Sequence, residues 1–388
     1  MARQLTSVHK TDCHEVAKLA GVHRFSLPDP GDVSGLAAAI ASGVIDPTNI
    51  VAVIGKTHGN GLVNDYTRGY LSQSLALLIG EATGRSIDVV RKHIPFIFSG
   101  GVEGVLSPHY TVLTASHETQ VGGGKGLAIG VAFTPDLAPD DIGRQRQIDL
   151  TASAVLEAMA KAGIAAADDV HFVQVKGPAF TQADIVASTK AGRAPATDNP
   201  GKLMAFGRAA SALGVGKAMG DISAERAVGE AVLKDFTLYS PVASVSAGVE
   251  VRCNEVVVIG LSKHWGGSLT VAHAPMADAL DISGIHAMLA DLGFSRGPQV
   301  LRADAARIKA AFVKCEAARD GLVRGKIHTM LNDGDMDQQR HIRAAVGAVV
   351  ASVLGDTALF VSGGAEHQGP DGGGLVSLIV ERAGDIRA

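Results

Sequence analysis

The sequence predicts an α/β protein made of three tandem, similar α+β repeats about a pseudo-threefold axis, with a central barrel-like arrangement of sheets and helices outside. Three observations predict it. The stretches FSGGVEG (98–104), VSAGVEV (245–251) and VSGGAEH (361–367) share one pattern: an apolar residue, Ser, a small residue, Gly, any residue, then Glu. Upstream of each serine a strand-like run ends in lysine: VAVIGK at Lys56, VHFVQVK at Lys176 and RIKAAFVK at Lys314. Between lysine and serine lies a helix-like segment carrying Arg68, Arg208 or Arg343. Repeats of this kind decide architecture, so they are weighed before single motifs.

Each element follows in order. The leads HIPFIF, TLYSPVASV and TALFV before the serines are apolar and strand-like. Helical spacing of apolar residues recurs in NDYTRGYLSQSLALLI, RQIDLTASAVLEAMAKAGI, LMAFGRAASALGVGKAM, ISGIHAMLADLGF and QQRHIRAAVGAVVASVL. Glycine clusters VGGGKG (121–126) and KHWGGS (263–268) mark boundaries, giving unit A at 1–116, unit B at 125–261 and unit C at 267–388. The sole tryptophan, Trp265, falls in the second junction and reads as linker. With 46% hydrophobic but only 4% aromatic residues and 47 glycines, the core must rest on Ala, Val, Leu and Ile between tight turns.

Composition narrows the partners. Lys+Arg number 35 against Asp+Glu 39, and no basic block tracks a nucleic-acid backbone, so a small molecule is the expected ligand. The longest apolar run is too short to span a bilayer and the N-terminus lacks a signal pattern, so the cytoplasm is the expected location. Cys13, Cys253 and Cys315 are isolated, without the spacing of a disulfide framework or a zinc site. The histidines form no HExxH-like pair, which argues against a catalytic transition metal. The run VAVIGKTHGNG resembles a phosphate loop only in Gly-Lys-Thr: position 50 is Ile where the first glycine should be, and Gly59 and Gly61 follow Lys56 instead of preceding it. A nucleotide site is therefore rejected.

What the three copies permit is nucleophilic catalysis. A serine hydroxyl needs a base, and lysine serves only when neutral. Burial and neighbouring arginines both disfavour the ammonium form. Small residues after each serine, at Gly100, Ala247 and Gly363, let backbone amides approach a developing oxyanion. Alone, an S-G-G is ordinarily a turn and a strand-end lysine ordinarily solvated. Three ordered copies favour chemistry, and the pattern does not choose among the three dyads.

The residues GKTHGNGLVNDYTR, SGGVEGVLSPH, HFVQVKGP, GRAASALG, VRGKIHTML, RHIRA and SGGAEHQGPDGGG resemble those of the ring-opening cyclic amide hydrolases, the family of cyanuric acid hydrolase and barbiturase. The resemblance runs over nearly the whole chain. It implies the Toblerone fold, a homotetramer, Ser246 as nucleophile and Lys176 as its base. By the same resemblance Arg68, Arg208 and Arg343 hold the substrate with Ser99, Gly100, Ala247, Ser362 and Gly363, and Lys56 and Lys314 act as polarising cations. It further implies a structural Mg2+ or Ca2+, with ligands mapping to Glu316, Ala365, Gln368, Gly369, Pro370 and Gly373, and no organic cofactor. The expected reaction opens cyanuric acid to carboxybiuret, which gives biuret.

The chain departs from cyanuric acid hydrolases at His58, where they often carry Glu, and at Gln338, Gln339 and Ile342 near the third arginine. Ring identity thus stays open between cyanuric acid, barbiturate and another cyclic amide. A non-catalytic binder of small cyclic anions is the alternative of a different class; it would lack Lys176, Ser246 or Arg208, and all three are present.

Overall fold

The computed structural model describes residues 16–119 and 124–384. Cys13, the rest of the N-terminal stretch and residues 121–123 of the first glycine cluster lie outside the described residues.

One order of elements runs three times along the chain. The first pass is β1 (Val16–Ser26), α1 (Ser34–Ala41), β2 (Ile50–Thr57), α2 (Thr67–Thr83), α3 (Ile87–His93), β3 (Phe96–Gly100) and β4 (His109–Thr119). The second is β5 (Gly126–Phe133), α4 (Gln145–Ala162), β6 (Val170–Pro178), α5 (Gln182–Lys190), α6 (Pro200–Met219), β7 (Ala243–Gly248) and β8 (Glu255–Ser262). After the short β9 (Trp265–Gly266) the third is β10 (Leu269–Met276), α7 (Ser283–Asp291), β11 (Ile308–Cys315), the hairpin β12 (Leu322–Val323) and β13 (Lys326–Ile327), α8 (Gln338–Leu354), β14 (Phe360–Gly363) and β15 (Gly374–Glu381).

The strand orders match: β3-β2-β4-β1, β7-β6-β8-β5 and β14-β11-β15-β10. Within each of these four-strand orders the first two strands are parallel and the other pairings antiparallel. A parallel pair needs a long crossover, and the arginine-bearing helix supplies it each time. Local signals start these crossovers: Asn199 caps α6 through the amide of Lys202, with Pro200 at the first helical position.

The central core draws on all three sheets, with Ile54, Ile97, Phe172, Val245, Phe312 and Phe360 in one buried cluster. Phe172 stacks on Phe312 with ring centroids 4.6 Å apart. Separate clusters join each sheet's other face to its helices, such as Leu71 and Leu75 of α2 against Phe96 and Phe98. Trp265 departs from the linker reading. It is 2% exposed, its Nε1 donates to Ala162 O at 2.8 Å, and its strand adds to β1 opposite Lys18. An indole this large stabilises the junction by burying its ring once its N–H has a partner.

Candidate active site

The parallel pairing fixes the chemistry's first layer. Lys56 lies opposite Ser99, Lys176 opposite Ser246 and Lys314 opposite Ser362, at the same end of β2/β3, β6/β7 and β11/β14. All three lysines are fully buried, and the serines nearly so. Burial lowers each ammonium pKa: Lys56 falls well below its ordinary value with Arg343 adding to the effect, Lys176 is lowered, and Lys314 falls to about 7 through burial and Arg208.

The three pairs are not equivalent in contact. Lys56 Nζ donates to Ser99 Oγ at 3.3 Å and to Gly100 O at 3.2 Å. Lys314 Nζ donates to Ser362 Oγ at 3.1 Å, Gly363 O at 2.9 Å and Val245 O at 2.6 Å. Lys176 Nζ instead donates to Phe98 O at 2.7 Å and Ala247 O at 3.4 Å, and forms an ion pair with Glu250 at 2.7 Å. Ser246 Oγ accepts from Gln174 Nε2 at 3.4 Å.

Helices bring the arginines. Arg68 opens α2, Arg208 lies within α6 and Arg343 within α8. The repeated Glu, four residues after each serine, meets an arginine from another repeat. Arg343 Nε donates to Glu103 at 2.9 Å, and its Nη2 makes a second, shorter bond. Arg208 holds Glu366 at 2.9 and 2.6 Å. Arg68 Nε is 3.6 Å from Glu250, while its Nη1 donates to Ala247 O at 2.9 Å. Forked guanidinium pairs of this kind fix orientation as well as charge. Gly101 and Gly364, each two residues past its serine, have φ of 94° and 72°, and a Cβ there would strike Arg343 and Arg208.

These groups line a small chamber bordered by Arg68, Ser99, Gly100, Arg208, Ser246, Ala247, Arg343, Ser362 and Gly363, together with Gly61 and Met204. The lysines lie behind it. An outer basin shares Arg208, Arg343 and Gly363 with the chamber and is walled by Tyr66, Lys202, Gln338 and Gln339. Of the departures noted above, His58 is exposed and borders neither space, and Ile342 is buried in unit C's core. Gln339 Oε1, by contrast, is buried beside Gly363 without a hydrogen-bond partner among the described residues.

The residues expected to hold a metal come together in part. Glu316 N donates to Gly373 O at 3.2 Å, and the loop closes on itself through Gln368 N to Ala365 O and Gly373 N to Pro370 O. The Gln368 side chain is consumed by Val245 N, Gly364 O and Glu366 O. Burial and the Glu366 charge push the Glu316 carboxyl up to about 8, and Arg319 is bonded to it at 2.7 Å. One under-compensated carboxylate with loop carbonyls fits a hard cation, which there would take Arg319's place as counter-charge. Among the described residues no cluster of three or more His, Cys, Asp or Glu could hold a metal.

Sequence reading missed three kinds of residue. Glu103, Glu250 and Glu366 were visible as the constant Glu of the repeat but had no partner until the repeats packed. Gln174 was visible as a polar residue inside an apolar strand. Glu255, opposite Lys176 across the antiparallel ladder, carried no signal.

Comparison with known proteins bears on the family and the fold. The model of the family described as amidohydrolase ring-opening protein matches residues 21–381. The cyanuric acid amidohydrolase of Enterobacter cloacae is 44% identical over 368 residues, covering 94% of this chain and 100% of that protein. A cyclic amide hydrolase of Azorhizobium caulinodans is 42% identical over 361 residues, 93% of this chain and 99% of its own. A solved cyanuric acid hydrolase superposes with a TM-score of 0.90 at 44% identity, covering 94% of this chain and 100% of the other. The chain belongs to the ring-opening amidohydrolase family.

Proposed function

We propose that this amidohydrolase opens the ring of cyanuric acid, using Ser246 as nucleophile and Lys176 as base. The observation that carries it is the convergence of three Lys/Ser register pairs and three arginines on one small chamber. A planar ring with three carbonyls presents one oxygen to each repeat. Neutral Lys176 takes the Ser246 hydroxyl proton as Oγ bonds a ring carbonyl carbon. Amides near Ala247 and the surrounding cations stabilise the oxyanion. Collapse breaks the C–N bond, the departing nitrogen takes the proton from Lys176, and water hydrolyses the acyl-enzyme to carboxybiuret, which loses carbon dioxide to give biuret.

Lys56 and Lys314 polarise the other two carbonyls through their serines. Glu316 with the carbonyls of Ala365, Gln368, Gly369, Pro370 and Gly373 would hold a structural Mg2+ or Ca2+ that ties the loop after β14 to the end of β11. The chemistry asks for no organic cofactor, and the homotetramer is tested by sedimentation. No helix among the described residues is long and apolar enough to cross a membrane.

Two observations favour second readings. The Lys314–Ser362 bond at 3.1 Å offers a different dyad. Gln339 beside Gly363, on the wall of the basin that meets the chamber, gives unit C's side a polar group and favours a less symmetric ring such as barbiturate. Turnover of cyanuric and barbituric acids side by side, followed by loss of ring ultraviolet absorbance, decides the substrate. Loss of barbiturate alone would reject cyanuric acid.

A further inference from the structure

A second cavity shares no lining residue with the substrate chamber. Asp88, Arg91, Lys92 and Arg252 surround it, and Glu250 and Glu255 also line it. Glu250 therefore links this cavity to the lysine behind the chamber: it borders the cavity and touches Lys176 at 2.7 Å. Its Oε2 is buried with no hydrogen-bond partner among the described residues. Glu255 lies directly across the ladder from Lys176 and accepts from Phe96 N at 3.1 Å.

The corresponding positions elsewhere carry no such carboxylate. Opposite Lys56 is His109, and opposite Lys314 is Leu375. Glu103 and Glu366 are each engaged by the two prongs of an arginine, whereas Arg68 leaves Glu250 free for Lys176. Unit B alone also places a polar residue, Gln174, two positions before its lysine, where units A and C have Ile54 and Phe312. Strand alternation points Gln174 and Lys176 to the same face.

We propose that Glu250 and Glu255 are positioning residues that single out the Lys176–Ser246 pair among the three, and that the second cavity is the port through which Lys176 exchanges its proton. This rests on Ser246 being the nucleophile. Before attack the Lys176 ammonium passes one proton to the Glu250 carboxylate, which releases it to water in the second cavity. The neutral amine then receives the Ser246 hydroxyl proton as the Oγ–carbon bond forms, so charge and protons balance. Substrate can fill the front chamber without blocking this route.

The charged groups that act on Lys176 are Glu250, Glu255 and Arg68; those that act on Glu255 are Lys176, Glu250 and Arg91. Burial lowers the Lys176 pKa and the two carboxylates oppose that shift. Removing the Glu250 carboxylate therefore lets Lys176 lose its proton at lower pH; Glu255, which burial keeps protonated up to about pH 8, adds to this only above that pH.

The test is the pH profile of kcat/KM for the full-length protein with cyanuric acid, or with barbituric acid if that is the ring it opens. Glu250→Gln is expected to move the acid-side limb down by about one pH unit. Glu255→Gln should leave an acid-side limb below about pH 8 in place and lower only one that lies above it, and Glu255→Asp should restore the latter. The substrate's own ionisation is common to every profile and cancels. Melting temperature is recorded for each variant, because a purely structural role would change it and leave the limb in place. Glu250→Asp, which keeps the charge near Arg68 and withdraws it from Lys176, carries the test if Glu250→Gln does not fold, with a smaller shift in the same direction. An unmoved limb in both Glu250 variants, with Ser246→Ala inactive, would overturn the port and leave the nucleophile standing. Full turnover by Ser246→Ala would overturn the nucleophile and the port together.

Discussion

The Lys176–Ser246 region and the Lys314–Ser362 region share a strand register and two backbone acceptors for the lysine, Phe98 O and Ala247 O in one, Val245 O and Gly363 O in the other, and differ in the side chains around it. In unit C the lysine reaches its serine directly at 3.1 Å and faces Leu375 across the ladder. In unit B the lysine turns to Glu250, faces Glu255, and leaves Ser246 to Gln174. Duplication thus kept the backbone geometry, which hydrogen-bond register enforces, and let the surrounding charges diverge. The lesson is that a repeated scaffold supplies three places for chemistry, while the electrostatic neighbours decide what each place does.

The largest expected effect breaks or upholds that comparison at once. Ser246→Ala should lower kcat by at least about 10^4-fold while still binding the ring. Ser99→Ala and Ser362→Ala, each losing one substrate hydrogen bond, should cost about tenfold. Equal losses at all three serines, measured by steady-state turnover and ligand titration, would make the repeats interchangeable.

The arginines sharpen it next. Arg208→Gln strands the buried Glu366 and should destabilise the fold by about 3–5 kcal/mol in denaturant unfolding. Arg68→Gln should cost less, because Glu250 keeps Lys176 as its partner.

The ladder neighbours His109 and Glu255 give opposite pH dependences. Burial holds His109 down to about 4, so the unfolded chain binds its proton more readily; stability from this site is full above about pH 6.5 and lost as pH falls toward 4. Burial raises Glu255 to about 8, so the native state holds a proton the unfolded chain releases. Its contribution is full below about pH 4.5 and lost as pH rises toward 8. They amount to roughly 3 kcal/mol for His109 and roughly 5 kcal/mol for Glu255 over their windows. Melting temperatures between pH 5 and 8 should therefore lose their acid-side fall in His109→Gln and their alkaline-side fall in Glu255→Gln; identical curves to wild type would remove both assignments.

Smallest is the loop beside unit C. Glu316→Ala, or a chelator on the unaltered protein, should lower the melting temperature by several degrees with little change in rate at permissive temperature. Loss of rate with unchanged melting would assign the metal to chemistry.

The repeat of Lys, Arg and Ser was legible because each lies within a local element whose pattern survives in the chain, and a strand that ends in lysine beside a strand that ends in serine needs only register to join them. The parallel crossovers followed from the same pattern, since two parallel strands require the helix between them. Trp265 was misread because the two glycines that follow it, Gly266 and Gly267, signal a turn locally, whereas its burial depends on Ala162, more than 100 residues away.

The amino-acid sequence by itself determined that three similar units exist, which residues recur in them, and that buried cations would crowd beside serines. Only the tertiary structure decided that Arg343 closes on Glu103 across 240 residues, that Arg208 closes on Glu366 across 158, and that Glu250 and Glu255 gather around Lys176. The physical reason is range. Strand and helix periodicity are written in neighbouring residues, but a charge pair inside a protein is set by which distant surfaces exclude water together.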